Sequence, residues 1–135
     1  MTLSLEEMAF RLNDHITDEG TSFDALLMDN GVLEVVCSNN DEFPIHLART
    51  ETQLLAVTPL FNVGEVVSNE VDNLNKMLLQ LAPAVPLSAF GLQGDTYILF
   101  GAIALGTSFE IIVHELEVQA ENTIDVIEAI QSLLA

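Results

Sequence analysis

The apolar pattern of residues 86–102 predicts a β-hairpin around which the rest of the chain is arranged. Two short apolar runs, residues 86–92 and 96–102, flank a Gln93-Gly94-Asp95 turn, and this arrangement is typical of a hairpin. Strand alternation in the second run places mainly apolar side chains on both faces: Tyr97, Leu99 and Gly101 on one, and Ile98, Phe100 and Ala102 on the other. Such a strand is covered on both sides, so we expect it to be central in its sheet.

Four more strand-like runs precede this hairpin. Residues 23–28 and 32–37 are joined by Asp29-Asn30-Gly31, a strong hairpin signal because Asn-Gly accepts positive φ. Residues 43–48 and 53–58 follow after short turns, with Pro44 at the start of one run and Pro59 just past the end of the other. The connections are too short for crossovers, so the pattern predicts an antiparallel meander.

Two amphipathic helices are predicted outside the strands. Ser4-Leu-Glu-Glu7 has the spacing of a capping box, and the apolar positions behind it predict a helix over residues 5–16. A second helix is expected to begin at Ser68 or Asn69 and to end before Pro83 and Pro86. Its buried stripe consists of Val71, Leu74, Leu78 and Leu81.

The C-terminal region is also predicted to be helical. Thr107-x-x-Glu110 has the form of a capping box, and apolar residues recur behind it at helical spacing. Asn122-x-x-Asp125 resembles the N-cap of a new helix, which predicts a bend near Asn122. The β-branched content of residues 110–118 leaves a strand as the alternative there, and the helical spacing favours the helix.

The element order α-ββββ-α-ββ-αα predicts an α+β fold with a largely antiparallel sheet of about six strands flanked by helices. The 135 residues fit a single domain, residues 1–135, that buries its own core.

Charge is the strongest compositional signal. The chain has 21 acidic residues against three basic ones, Arg11, Arg49 and Lys76, for a net charge of −18. Nucleic acids and anionic membranes attract the opposite sign, so we expect no nucleic-acid partner and no direct membrane insertion. The acidity fits either solubility by repulsion or a basic or amphipathic protein partner. Salt adaptation is a third explanation, although 18% charged residues is low for it.

Compartment and cofactor use are predicted from what the sequence lacks. No apolar run approaches the roughly 20 residues of a membrane span, and the acidic N-terminus does not resemble a signal peptide, so a cytoplasmic protein is expected. Cys37 is the sole cysteine and is expected to be a buried small hydrophobic residue. His15, His46 and His114 lie in no metal-ligand motif. We therefore predict no metal, no cofactor and no catalytic residue.

A ligand-binding or enzymatic domain remains the alternative hypothesis. It would use His46, His114 and nearby carboxylates, of which the densest cluster surrounds His114: Glu110, Glu115 and Glu117. This hypothesis requires a pocket that brings at least two of these groups within hydrogen-bonding distance.

The favoured hypothesis is a protein-interaction module. Several strands are apolar on both faces, so helices packed on one side only would leave an apolar face exposed, and exposed apolar area usually marks an interface. A twofold homodimer is the simplest way to cover it, unless the C-terminal helices cover it within the monomer. The candidate interaction surface consists of Leu55, Val57, Phe90, Tyr97, Leu99 and Phe100.

The hairpin sequence also carries a family resemblance. Pro86-Leu-Ser-Ala-Phe-Gly91 followed by Tyr97-Ile-Leu-Phe-Gly-Ala102 resembles the YjfI family of bacterial proteins of unknown function. Glu42-Phe-Pro44, and Glu115-x-Glu117 with Asn122, are similar to the same family. Its members are often encoded beside a phage-shock-protein-A-like membrane-stress protein, so the resemblance implies an accessory or regulatory role with such a partner.

The element order, size and acidity are similar to those of the dimeric type III secretion chaperones and of YbjN-like domains. This second, more distant resemblance implies a chaperone-like protein.

Overall fold

Six strands form one antiparallel sheet. A computed structural model describes residues 3–135 and places the strands in the order β1-β2-β3-β4-β6-β5. Their bounds are β1 (Phe23–Leu27), β2 (Leu33–Cys37), β3 (Asn40–Arg49), β4 (Gln53–Asn62), β5 (Ala89–Gln93) and β6 (Thr96–Ala104). The predicted meander and hairpin are both present. β6 pairs with β4 on one side and β5 on the other, so the doubly apolar strand is internal, as its sequence indicates.

Within the described residues, three α-helices accompany the sheet: α1 (Leu5–Asn13), α2 (Val71–Leu81) and α3 (Phe109–Ile130). Ser4 caps α1 by accepting a hydrogen bond from the Glu7 amide at 3.1 Å. The helix is shorter than predicted and ends at Asn13. Within residues 3–135, no helix is both long and apolar enough to cross a membrane.

The predicted cap of α2 is wrong. The N-cap position belongs to Glu70, whose side chain makes no capping hydrogen bond, whereas Asn69 adopts a positive φ of 74° in the turn before it. Asparagine tolerates that conformation better than most residues do, so Asn69 shapes the turn that precedes the helix.

The predicted bend of the C-terminal region is also wrong. A single helix, α3, runs for 22 residues through Asn122, and the strand alternative for residues 110–118 is excluded. The cap is Ser108, which accepts from the Ile111 amide at 3.4 Å; Thr107 instead donates its hydroxyl to the Ala104 carbonyl.

Pro59 lies within β4 and not beyond its end. The pairing of β4 with β6 shifts between Pro59 and Phe61, and such an irregularity accommodates a residue that cannot donate to the ladder. The strand therefore continues past the proline, and the Phe61 side chain is buried beneath the helices.

All three helices pack on the same face of the sheet. One core cluster joins α1 and the first half of α3 to β1–β4, and a second joins α2 and the second half of α3 to β4 and β6. Alternate strand positions supply this core, including Leu33, Val35, Leu47 and Leu99. In the described part of the chain, no helix covers the opposite face.

Buried polar side chains fix α3 on the sheet. The Gln119 amide donates to the Ala56 carbonyl at 3.1 Å and to the Thr58 hydroxyl at 2.9 Å. Asn122, which is also buried, donates to the Pro86 carbonyl at 2.7 Å and to the Ser88 hydroxyl at 3.1 Å. The helix is therefore held at two successive turns, once over β4 and once at the segment that leads into β5.

Replacing Asn122 should loosen the attachment between α3 and β5. We expect Asn122→Ala to lower the free energy of unfolding by about 1–3 kcal/mol, because two hydrogen bonds are lost at a buried position. Urea denaturation measures the loss. The control is Asn73→Ala, an exposed α2 position whose amide donates to the Glu70 carboxylate, where a change within about 0.5 kcal/mol is expected. Equal losses in the two variants would contradict this assignment.

Candidate interaction site

The face of the sheet opposite the helices is a broad, mainly apolar surface, which we call the uncovered face. Strand register places side chains from all six strands on it: Val57 lies opposite Phe100 and Leu55 opposite Ala48. Leu26, at the β1 end, is 60% exposed. The apolar side chains of this face are Leu26, Met28, Val36, Ala48, Leu55, Val57, Pro59, Ile98, Phe100 and Ala102. Two of them, Val57 and Ile98, are covered by their neighbours, with exposed fractions of 9% and 5%.

A shallow groove of about 460 Å³ crosses the uncovered face. Its lining is contributed by β2, β3 and β4, the loop after β1 and the last residue of β5, and it includes Met28, Leu55 and Pro59. Glu34 and His46 are cross-strand neighbours within it, and Glu34 Oε2 lies 3.5 Å from His46 Nε2. The groove thus combines an apolar floor with one carboxylate, a combination suited to a segment that carries apolar and basic side chains.

The six residues predicted as an interaction surface lie on two different faces. Leu55, Val57 and Phe100 belong to the uncovered face. Tyr97 and Leu99 lie in the core beneath the helices, with exposed fractions of 6% and 0%, so including them was wrong. Strand alternation is the reason, because residues of opposite parity in β6 must face opposite sides.

Contacts beneath the helices explain the burial of the second group. The Tyr97 ring stacks on Phe61 with centroids 5.0 Å apart, and its hydroxyl donates to Asn75 Oδ1 on α2. Phe90 packs against the same core cluster while remaining partly exposed. Neither Tyr97 nor Phe90 contributes to the uncovered face.

The structure does not bring His46 and His114 together. His46 lies on the uncovered face, whereas His114 is exposed on α3, on the opposite side of the sheet. The hypothesis of a site that uses both histidines is therefore wrong. His114 instead lines a separate groove of about 380 Å³ with His15, Glu110 and Glu117.

One of the carboxylates around His114, that of Glu117, has a structural role. Glu117 is buried and accepts a hydrogen bond from the Thr17 hydroxyl at 2.7 Å. Partial burial raises the pKa of Glu115, and the neighbouring His114 opposes that shift. Among the residues that the structure describes, no group of three His, Cys, Asp or Glu side chains could hold a metal ion.

Sequence reasoning missed several members of the uncovered face. Leu26, Met28 and Pro59 were not in the predicted surface, although each has the strand parity of that face. Two features of the sequence could have indicated these residues. Neighbouring strands have apolar residues at every second position, and the predicted helices are too few to cover both faces of the sheet. The side on which those helices pack is set by long-range contacts, which the pattern does not encode.

Comparison with known proteins identifies the family. Residues 2–134 match the model of DUF2170, an uncharacterized protein conserved in bacteria. The chain belongs to this family. It is 30% identical over 91 residues to the uncharacterized protein YjfI of Escherichia coli strain K12, a match covering 64% of this chain and 67% of YjfI. The YjfI of E. coli O157:H7 matches to the same extent, so the resemblance inferred from the hairpin sequence is confirmed.

Two solved structures share the fold. A chain of the heterodimeric ExoU–SpcU complex from the type III secretion system of Pseudomonas aeruginosa aligns with a TM-score of 0.56 at 14% identity, with 95% of each chain covered. A chain of the ExsC–ExsE complex aligns with a TM-score of 0.51 at 17% identity, covering 99% of this chain and 97% of that one. The predicted type III secretion chaperone-like fold is confirmed.

Substitutions on the two faces of the sheet should differ in their cost to stability. We expect Leu99→Ala to lower the free energy of unfolding by about 2–5 kcal/mol, because it leaves a cavity in the core. Leu55→Ala, on the uncovered face, removes the same atoms from a partly solvated position and should cost less than about 1.5 kcal/mol. Urea denaturation of the two variants compares these losses; similar values would mean that the uncovered face is not solvated.

Cys37 should be unreactive in the folded protein. Burial raises the pKa of its thiol from 9.0 to about 12, and the nearby Glu117 carboxylate adds to the shift. The thiolate is the reactive species, so at about pH 8.5 we expect alkylation by iodoacetamide to be at least about a hundredfold slower in the folded chain than in urea. Comparable rates would contradict the burial of the thiol.

The same shift sets the sign of a pH dependence. The pKa of the thiol is near 9 in the unfolded chain and about 12 in the folded one. The free energy of unfolding should therefore fall as the pH rises from 9 to 12, because only the unfolded chain loses the proton in that range. Below pH 9 the thiol is protonated in both states and this loss of stability is absent. The Cys37→Ala variant should lose less of its free energy of unfolding between pH 9 and pH 12 than the unmodified protein does. Urea denaturation at several pH values measures the difference.

Proposed function

We propose that this protein is a non-enzymatic, chaperone-like interaction module that holds an amphipathic, basic segment of another protein on its uncovered face. The observation that carries the proposal is the packing of all three helices on one side of a sheet whose strands are apolar on both sides. A monomer that leaves such a face open retains apolar area of the kind that usually marks an interface.

Electrostatics favours a basic segment over an acidic or neutral one. At a net charge of −18, the chain attracts cationic partners over several ångströms and repels anionic ones. Two of its three cations lie on helices of the opposite side: Arg11 sits 4.2 Å above the Phe109 ring, and Lys76 belongs to α2. The third, Arg49, is the last residue of β3. Within residues 3–135 no lysine or arginine forms an ion pair with Glu34, whose carboxylate lies 3.5 Å from the His46 imidazole, so Glu34 would pair with a lysine or arginine of the segment.

The comparisons agree with a role in protein binding. The two solved structures described above are complexes between two proteins, and likeness of fold alone is weak support for a shared function. A phage-shock-protein-A-like protein remains the predicted partner on the family resemblance, and the cytoplasm remains the predicted location.

Binding of a model peptide tests the proposal. The probe is a fluorescent peptide of about 18 residues, in which leucine and lysine are arranged as an amphipathic helix. We expect saturable binding in fluorescence anisotropy that weakens as salt is added, because part of the attraction is Coulombic. Leu55→Gln should weaken binding by at least about tenfold, or about 1.4 kcal/mol, and Glu34→Gln should reduce the salt dependence.

Two controls separate the uncovered face from general charge attraction. Ile111→Gln removes an exposed apolar side chain from α3, on the helix side, and should bind the peptide as the unmodified protein does. A peptide with glutamate in place of lysine should not bind. If Leu55→Gln and Ile111→Gln bind with equal affinity, the proposed surface is incorrect.

A further inference from the structure

The turn between β2 and β3 is fastened to α3 by two asparagines. Asn39 Nδ2 donates to the Glu117 carbonyl and Asn40 Nδ2 donates to the Ala120 carbonyl, both at 3.1 Å. The turn, the start of β3 and the following turns of α3 together enclose a groove of about 340 Å³. Phe43 lines this groove and packs on the core beneath the helices, so the groove lies on the helix side of the sheet, away from the uncovered face.

The floor of this groove is apolar. It consists of one aromatic side chain, Phe43, and two aliphatic ones, Ile124 and Ile127. Ile124 is 38% exposed, and Phe43 and Ile127 are half-buried. A ligand that lies on this floor would therefore bury apolar area, which favours binding.

Carboxylates border the same groove. Asp41 and Glu42 come from β3 and Glu128 comes from α3, and all three are exposed. Within residues 3–135 none of them forms an ion pair with a lysine or arginine, and Arg49 lies at the other end of β3. Their negative charge can therefore attract a cation of another molecule.

A hydrogen-bond acceptor in this groove lacks a donor. Oδ1 of Asn39 is buried and has no hydrogen-bond partner among the residues that the structure describes, and Asn39 is one of the residues that line the groove. Buried polar atoms are nearly always hydrogen-bonded, because an unpaired one has lost its water without a replacement. A donor that enters the groove beside Asn39 would complete this hydrogen bonding.

Shape and charge together favour arginine as the occupant. The guanidinium group is planar, carries five donors and is more weakly hydrated than an ammonium group, so it can stack on an aromatic ring while it donates to carboxylates. The three-carbon stem of arginine packs on apolar surface. Lysine has a similar stem but ends in a compact, strongly hydrated charge, which suits an apolar floor less well.

We propose that this groove, which we call the arginine groove, binds an arginine side chain of a partner protein. The stem of the arginine lies on the apolar floor, and its guanidinium group donates to the carboxylates of Asp41 and Glu128 and to Oδ1 of Asn39. The proposal does not depend on the proposed function, because the arginine groove and the uncovered face lie on opposite sides of the sheet.

Three matched peptides test the arginine groove. The probe is a fluorescent peptide of about nine residues with Leu-Arg-Leu at its centre and only glycine and serine elsewhere. We expect saturable binding in fluorescence anisotropy at about 150 mM sodium chloride. Citrulline in place of the arginine keeps the shape and removes the charge, and should weaken binding at least about tenfold. Lysine in that place should weaken it at least about threefold, because it lacks the planar set of donors.

Variants of the protein separate the arginine groove from general charge attraction. Asp41→Asn and Glu128→Gln should each weaken binding of the arginine peptide at least about threefold. Glu51→Gln is the matched control, because it removes the same charge from an exposed position in the turn between β3 and β4, and it should bind the peptide as the unmodified protein does. Circular dichroism should show that all three variants are folded.

A further comparison separates this proposal from the preceding one. Leu55→Gln alters the uncovered face and should leave binding of the arginine peptide unchanged. Glu128→Gln should leave binding of the leucine–lysine peptide unchanged. Either proposal can therefore fail without the other.

Four results would overturn the arginine groove. The first is the absence of binding at about 1 mM protein, and the second is equal affinity for the arginine and citrulline peptides. The third is an equal loss of affinity in Glu51→Gln and Glu128→Gln, which would show that the peptide responds to net charge alone. The fourth is a loss of binding in Leu55→Gln, which would place the peptide on the uncovered face.

Discussion

The attachment of α3 to the sheet is the constraint on which the rest of the structure depends. This helix contributes to both core clusters, and it is held by hydrogen bonds from Gln119 to β4 and from Asn122 to the segment before β5. Hydrogen bonds at buried positions are directional and costly to lose, so they determine where the helix lies as well as how strongly it is held. With α3 across the middle of one face and α1 and α2 beside it, residues 3–135 contain no further α-helix that could cover the other face.

An apolar side chain in this sheet therefore has one of two physical roles, depending on its parity. Leu99 and Tyr97 stabilise the fold by burial beneath the helices, whereas Leu55 and Phe100 remain partly solvated and contribute less to stability. Such partly solvated apolar residues reduce solubility, and a chain that keeps them benefits from strong net repulsion. The charge of −18 thus has two compatible effects, because the same negative charge repels other copies of the chain and attracts a basic partner.

The sequence was sufficient to predict the element order, the hairpin and the antiparallel meander, since these depend on local periodicity and turn chemistry. It was insufficient where a polar side chain forms hydrogen bonds with residues that are distant in the sequence. Asn122 has the spacing of a helix cap, yet its side chain bonds to Pro86, 36 residues away. Asn13 similarly resembles an ordinary polar residue at a helix end, yet its side-chain amide exchanges two hydrogen bonds with the backbone of Ala25 in β1, 12 residues further on. Parity alone would have separated Tyr97 and Leu99 from Phe100, but the side covered by helices could not be chosen from it.

The hairpin connects the uncovered face to the helix that fixes the sheet. Its inner strand, β6, contributes Phe100 to the uncovered face. Its outer strand, β5, begins next to Pro86 and Ser88, to which Asn122 on α3 donates its hydrogen bonds. The helix side of the sheet and the uncovered face are therefore coupled through one hairpin, so a substitution that loosens α3 from the segment before β5 should also disturb the strands that form the uncovered face.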